Sequence, residues 1–149
     1  MLALLTCLGG VGYCALANSS ATTIHQSVES IWKSERFAAC GYLSRTNCVV
    51  DGDTFYMNGE KIRIADIDAP ETTGAQCSSE ADLGARATRR LHALLNEGPF
   101  ELKHFSSRDT DRYGRKLRIV MRDGVSIGDR LIAEGLARRW SGRRMPWCA

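Results

Sequence analysis

The sequence has 149 residues, 44% of them hydrophobic and 25% charged, with a net charge of +3. That length is enough for one domain with its own core. The ordinary apolar content excludes a disordered or collagen-like chain.

The charge is unevenly spread. Residues 37–71 hold three basic and six acidic side chains, and everything after Glu71 holds fifteen basic and nine acidic ones. An acidic centre beside a basic remainder suits a metal site that must also attract a polyanion. The plainer account, that arginines solubilise a surface, covers most of them.

From Met1 to Ala17 no side chain is charged, and Ala15-Leu16-Ala17 offers a small-x-small cleavage point. Residues 1–17 therefore read as a cleaved export signal, with a short uncleaved anchor as the alternative. The stretch falls short of the ~20 apolar residues of a membrane span. Residues 18–36 read as a flexible or helical leader. Asn18 to Thr23 is small and polar, and Ile24, Val28, Ile31 and Trp32 then recur at helical spacing. The globular domain takes residues 37–149.

Once the first segment is removed, four cysteines remain: Cys40, Cys48, Cys77 and Cys148. An even number in an exported chain points to two disulfides, and three pairings are open. Cys40 with Cys48 and Cys77 with Cys148 would staple the start of the domain and tie down its far end. Zinc is the alternative, against which stands the lack of any C-x-x-C knuckle.

The stretch from Cys48 to Glu71 reads as two strands and a tight turn. Asp51-Gly52-Asp53 breaks or bulges the first strand, and Asn58-Gly59 is a strong hairpin signal. Lys61 to Ile67 returns, and Ala69-Pro70 ends the strand, because proline lacks the N–H that the ladder needs. Asp51 and Asp53 lie before the turn; Asp66, Asp68 and Glu71 lie after it. Crowded carboxylates raise one another's pKa unless a cation sits among them. A hard, oxygen-liganded divalent ion is the natural partner. A lone D-G-D would be only a turn, but a second acidic cluster one hairpin crossing away makes a shared site the better account.

Beyond a loop, Ser79 with Asp82 resembles a capping box. Gly84, Ala87, Leu91, Leu94 and Leu95 then form one apolar stripe that ends at Gly98-Pro99. Phe100 to Phe105 alternates as a half-buried strand, and Leu117 to Met121 is another, turning at Asp123-Gly124. Ser126 with Asp129 caps a short second helix closed by Gly135, and Leu136 to Trp140 reads as a last short strand. This order fits a small barrel with inserted helices.

Three motifs, D-G-D-T, I-R-I-A-D-I-D-A-P-E and D-R-Y-G-R, occur in an order and at a spacing that resemble the staphylococcal nuclease-like (thermonuclease) family. The resemblance covers roughly residues 45–140. It implies a mainly β fold with helices: a five-stranded OB-fold barrel carrying two or three short helices. It also implies calcium-dependent hydrolysis of phosphodiester bonds in DNA or RNA, with magnesium or manganese as other ions that accept oxygen shells.

Carried over residue by residue, the resemblance makes Asp53, Asp68 and the backbone carbonyl of Ala69 the ion ligands. Alanine stands at Ala69 where the family has threonine; the carbonyl survives and the hydroxyl is lost. Asp51 resembles an aspartate that acts on the ion through water, and Asp66 has no counterpart and reads as exposed. Glu71 matches the glutamate that orients or deprotonates the attacking water. Arg63 and Arg115 match two phosphate-gripping arginines, whose planar forks hold two oxygens at once. Arg112 and Tyr113 resemble a substrate-binding pair. Trp140 and Trp147 read as packing residues. Arg63, Glu71 and Arg115 belong to the site rather than the core, so folding is expected to survive their substitution.

Strict alternation puts Arg63 on the strand face opposite Asp66 and Asp68, so the chain must bend or bulge before Asp68 if they are to converge. The functional expectation is a secreted or periplasmic nuclease, monomeric, with a nucleic-acid substrate, no stable protein partner, and no membrane association after cleavage. The rival is a non-catalytic nucleic-acid- or protein-binding module on the same barrel. A calcium-binding structural domain is a third possibility.

Overall fold

The computed structural model describes residues 31–32, 36–41 and 45–148. The expected export signal and nearly all of the leader lie outside the described residues. Where the leader helix was expected to end, Ile31–Trp32 instead forms a short strand, β1, paired antiparallel with Phe100 and Glu101.

The remaining strands are β2 (Ala38–Ala39), β3 (Cys48–Asp51), β4 (Thr54–Met57), β5 (Glu60–Ile64), β6 (Ile67–Asp68), β7 (Phe100–His104), β8 (Lys116–Arg122), β9 (Val125–Ser126) and β10 (Arg138–Arg139). Two helices interrupt them, α1 (Ser78–Asn96) and α2 (Ile127–Ala133). The main sheet runs β1-β7-β8-β5-β4-β3-β2, with β9 on β8, and β10 pairs with β6 as a separate ribbon.

The five strands β3, β4, β5, β8 and β7 form the OB-type sheet, mainly antiparallel with β5 and β8 parallel. Among the described residues no ladder joins β7 to β3, so the sheet is an open rather than a closed barrel. Side chains fill the gap. Phe37, Phe55 and Phe100 are buried with ring centroids 5.8 to 6.3 Å apart, in edge-on or tilted contacts.

Helix α1 covers the sheet with the expected stripe: Gly84, Ala87, Leu91, Leu94 and Leu95 are all buried. Each large aliphatic side chain so buried stabilises the fold by about 1.5–3 kcal/mol. The expected capping box does not form. The N-cap is Cys77, whose side chain makes no cap bond, and the buried Glu80 takes the Gln76 N–H at 2.8 Å instead. At the other end Arg122 donates to the carbonyls of Leu94, Gly98 and Pro99 at 2.6 to 3.0 Å, satisfying oxygens that a helix end leaves bare. Helix α2 starts as read: the Ser126 hydroxyl accepts from the Gly128 N–H at 3.0 Å.

Both disulfides join the expected partners, Cys40 with Cys48 and Cys77 with Cys148. The second ties the segment after β10 to the start of α1. No helix among the described residues is long and apolar enough to cross a membrane.

Candidate active site

The irregularity expected at Asp51-Gly52-Asp53 and the bend that the alternation demanded before Asp68 are both present. The β3–β4 register shifts between Val49 and Asp51, and β4–β5 closes on Asn58 and Gly59, both at positive φ (51° and 83°). After Ile64 the chain turns through Ala65 and Asp66 before β6 resumes. That turn cancels the alternation. Arg63 and Asp68 are both brought to the edge where Asp53 sits.

Asp53 is 4% exposed. Its Oδ1 accepts from the Thr54 hydroxyl at 2.8 Å; its Oδ2 accepts from the Ala69 N–H at 3.2 Å and lies 2.7 Å from Arg63 Nη1. Arg63 also donates to the carbonyls of Ile64 and Ile67, each at 3.2 Å, and lies 5.5 Å from the Trp140 ring centroid. A guanidinium held on so many sides is part of the core as well as of the site, contrary to the expectation from sequence.

Asp68 is 3% exposed and fully engaged. Its Oδ2 accepts from Arg138 Nη2 and from the Trp147 indole N–H, each at 3.2 Å, and its Oδ1 accepts from Arg144 Nε at 3.1 Å. A second nitrogen of Arg144 bonds Glu71 Oε1. The antiparallel pairing of β10 with β6, Arg138 opposite Asp68, brings this basic segment alongside the acids.

Helix α1 backs this acidic corner so closely that only glycine fits at two positions. A Cβ on Gly52 would lie 2.7 Å from the Ala87 Cβ and 2.9 Å from the Ala69 Cβ. A Cβ on Gly84 would lie 2.5 Å from the Glu71 carbonyl oxygen and 2.8 Å from that of Pro70. The helix thereby fixes the loop that carries Glu71, whose own N–H points to Glu80 at 3.4 Å.

Burial first, then the charges of Asp53 and Glu71, push the Asp51 carboxyl up to about 7, against a hydrogen bond from the Asp53 N–H. Crowded carboxylates, hard oxygen donors throughout, and a guanidinium lodged between Asp68 and Glu71 together fit a seat for a divalent cation. Asp53, Asp68 and the Ala69 carbonyl are the residues that would hold it. Elsewhere among the described residues Cys77, Glu80 and Cys148 lie close enough for a metal, but both sulfurs are already bonded to each other.

The other arm of the site comes from the turn before β8. Asp111 organises it. Its Oδ1 accepts from the N–H groups of Tyr113 (2.8 Å) and Arg115 (3.0 Å), and its Oδ2 accepts from Arg115 Nε at 2.7 Å. Burial would raise the Asp111 carboxyl, and these bonds more than offset it, leaving its pKa below the usual value. Arg115 Nη1 reaches the Thr54 hydroxyl at 3.5 Å. Thr54 thus donates to Asp53 and accepts from Arg115, joining the two arms. Arg112 donates to the Tyr113 hydroxyl at 2.6 Å and stacks on its ring, which is 67% exposed. A cleft of about 400 Å³ opens between Arg63, Arg112, Tyr113, Arg115 and Trp140.

The structure therefore brings Arg63, Asp53, Asp68, Ala69, Glu71 and Arg115 to one corner, with Arg112 and Tyr113 on its exposed rim. Asp66 corrects the reading from sequence: it is buried, accepts from the Ser126 hydroxyl at 2.8 Å, and serves the start of α2. Trp147, read as packing alone, also donates to Asp68. Thr54, Arg138 and Arg144 went unassigned. Thr54 stood in plain view as the last residue of D-G-D-T. Arg138 and Arg144 follow the hairpin by about seventy residues, and nothing local marks them.

The family described as Staphylococcal nuclease homologue has a model that matches residues 61–145. Arg63, Asp68, Ala69, Glu71, Arg112, Tyr113, Arg115 and Arg144 fall inside that span; Asp51 and Asp53 precede it. Two curated proteins of Bacillus subtilis (strain 168) are similar. "Endonuclease YncB" is 38% identical over 93 residues, 60% of this chain and 44% of that protein. "SPbeta prophage-derived endonuclease YokF" is 38% identical over 93 residues, 60% of this chain and 31% of that protein. The chain spans less than half the length of either relative.

Proposed function

The chain belongs to the staphylococcal nuclease homologue family, and from that premise we propose that it is a divalent-ion-dependent nuclease hydrolysing phosphodiester bonds in DNA or RNA. One observation supports this reading above the others. Arg63 and Arg115, from a buried strand and a distant surface turn, meet around Thr54 beside a cluster of buried acids.

Arg63 and Arg115 grip the non-bridging phosphate oxygens, and their hold strengthens as charge builds on those oxygens. Glu71, partly exposed at the mouth of the site, takes a proton from the attacking water. The water oxygen forms a bond to phosphorus, and the bond from phosphorus to the leaving sugar oxygen breaks, that oxygen taking up a proton from solvent. Asp53, Asp68 and the Ala69 carbonyl hold the ion, calcium by the family resemblance; when bound it polarises the phosphate and neutralises developing charge. Arg112 and Tyr113 bind a neighbouring phosphate or base on the rim.

Two disulfides favour an oxidising compartment, so export to the periplasm or the medium completes the proposal. The test is digestion of supercoiled plasmid and of RNA with calcium, magnesium or manganese, each with a chelator control. Cleavage restored by one ion and abolished by the chelator is expected. Glu71→Gln should lower turnover on the order of 10²-fold. Binding without cleavage in every ion would favour the non-catalytic module instead.

A further inference from the structure

Residues 141–148 cross the acidic corner as a strap. One end is held by β10 on β6, and the other by the bond from Cys148 to Cys77 at the start of α1. Between them Arg138 donates to the carbonyls of Met145 (2.7 Å) and Pro146 (3.0 Å), and its guanidinium stacks 3.6 Å from the Trp147 ring centroid. The strap delivers two side chains into the corner: Trp147, on Asp68 Oδ2, and Arg144, bonded to Asp68 Oδ1 and to Glu71.

The two oxygens of Asp68 are held differently. Oδ2 is fixed by Arg138 and Trp147, both locked into the strap's own packing. Oδ1 has Arg144 alone as its hydrogen-bond donor among the described residues. Arg144 is also 44% exposed along its side chain, so it can withdraw toward solvent without opening the core.

We infer that Arg144 is a built-in counter-cation that occupies Asp68 Oδ1, an oxygen the divalent ion would use, and must leave it before the ion binds. Arg138 and Trp147 stay behind as positioning residues that keep Asp68 aimed. The inference rests on the ion-dependent nuclease reading given above. A lone-pair oxygen cannot serve a guanidinium N–H and a metal ion along the same direction, so the two occupants exclude each other. Competition of this kind lowers apparent ion affinity by the fraction of molecules in which Arg144 holds the seat. The disulfide raises the local concentration of Arg144 at the acids, as any short tether does. Loss of the tether shifts the balance toward the ion.

Calcium binding measured by calorimetry, without nucleic acid, tests this on the whole protein. Arg144→Gln should tighten calcium by about tenfold, which is 1.4 kcal/mol at room temperature. Arg143→Gln removes the same charge from the next, exposed position of the strap and should change affinity less than twofold. The Cys77→Ser/Cys148→Ser pair should tighten calcium by a few-fold, and adding Arg144→Gln to it should bring affinity no further than Arg144→Gln alone. Thermal melts of each variant confirm folding; if the serine pair fails to fold, the two arginine variants decide. Unchanged or weaker calcium binding in Arg144→Gln overturns the inference, as does equal tightening in Arg143→Gln. Tighter calcium without cleavage in any variant would sustain it and sink the nuclease reading, while cleavage with unaltered affinity would do the reverse.

Discussion

Arg63 and Arg115 approach the same corner at Thr54 and Asp53, and they are held there by opposite means. Arg63 lies 8% exposed in β5, paired with Asp53 and bonded to one backbone carbonyl of its own strand and one of β6. Arg115 lies at the end of a surface turn, steered by the single carboxylate of Asp111. The buried arm gains its precision from the fold and in return the fold depends on it. The surface arm is organised locally, so its loss is felt by the substrate and little by the core. Two residues with one chemical role thus carry different structural consequences.

Replacing each arginine by alanine sharpens that contrast most. Arg63→Ala leaves Asp53 buried with its charge uncompensated and leaves two carbonyls without their donors. Breaking a buried pair in this way costs about 3–5 kcal/mol. Cleavage should be lost as well, by 10²-fold or more, the order of one transition-state donor. Arg115→Ala should lose cleavage to a similar degree, on the order of 10²-fold. It should lower the unfolding free energy from urea titration by less than about 1 kcal/mol, because the ion pair it breaks is partly solvated. Urea titrations and plasmid digestion of the two variants side by side provide the check. Equal loss of stability in both would dissolve the distinction.

A smaller effect probes the buried arm without touching any charge. Glycine inside a helix is normally a weakness that alanine repairs, by roughly 0.5–1 kcal/mol. At Gly84 the added methyl would meet the backbone of Pro70 and Glu71 at 2.5 to 2.8 Å. Backbone cannot rotate aside as a side chain does, so the loop carrying Glu71 must shift. Gly84→Ala is therefore expected to lower turnover about tenfold, the order of a sub-ångström misplacement of a catalytic group. Gly98→Ala, at the far end of α1 and clear of neighbours, should leave turnover unaltered. Full activity in Gly84→Ala would show that α1 does not position Glu71.

The same contrast explains what could be read before any coordinates. The hairpin was legible because its signals are local: Asn58-Gly59 sets the turn, and D-G-D-T and D-I-D-A-P-E sit on either side of it. The stripe of α1 was legible because its period is strong, and the cap of α2 because Ser126 begins it. The start of α1 was not, because Cys77 at the cap makes no side-chain bond and the buried Glu80 of the first turn reaches back to the Gln76 N–H instead. Asp66 was misread because exposure depends on a tertiary neighbour, Ser126, sixty residues away. Arg138, Arg144 and Trp147 escaped for the same reason. Their role at Asp68 is created by the β10–β6 pairing, which leaves no periodic or local trace, and by a disulfide whose cysteines were legible but not what they would bring to Asp68.

The surface arm should announce itself in acid. Asp109 sits at the foot of the Arg115 turn, and hydrogen bonds from Lys116 and Arg118 hold its carboxyl down to about 2. The unfolded chain binds that proton near the ordinary value of ~3.9. A carboxyl depressed in the folded state adds stability that is complete above the unfolded value and fades as pH falls through the folded one. The wild-type melting temperature should therefore carry an extra downward slope between roughly pH 4 and pH 2. Asp109→Asn should flatten that part of the profile and leave a constant small offset above it. Because Asp109 is open to water, the effect is the smallest of those expected, and ~0.5 M salt should shrink it further by shortening the screening length. The buried pair of Arg63 and Asp53 should be nearly blind to that salt. A salt response of equal size in Asp109→Asn and Arg63→Ala would mean that the two arms share one solvent environment, and the contrast between them would fail.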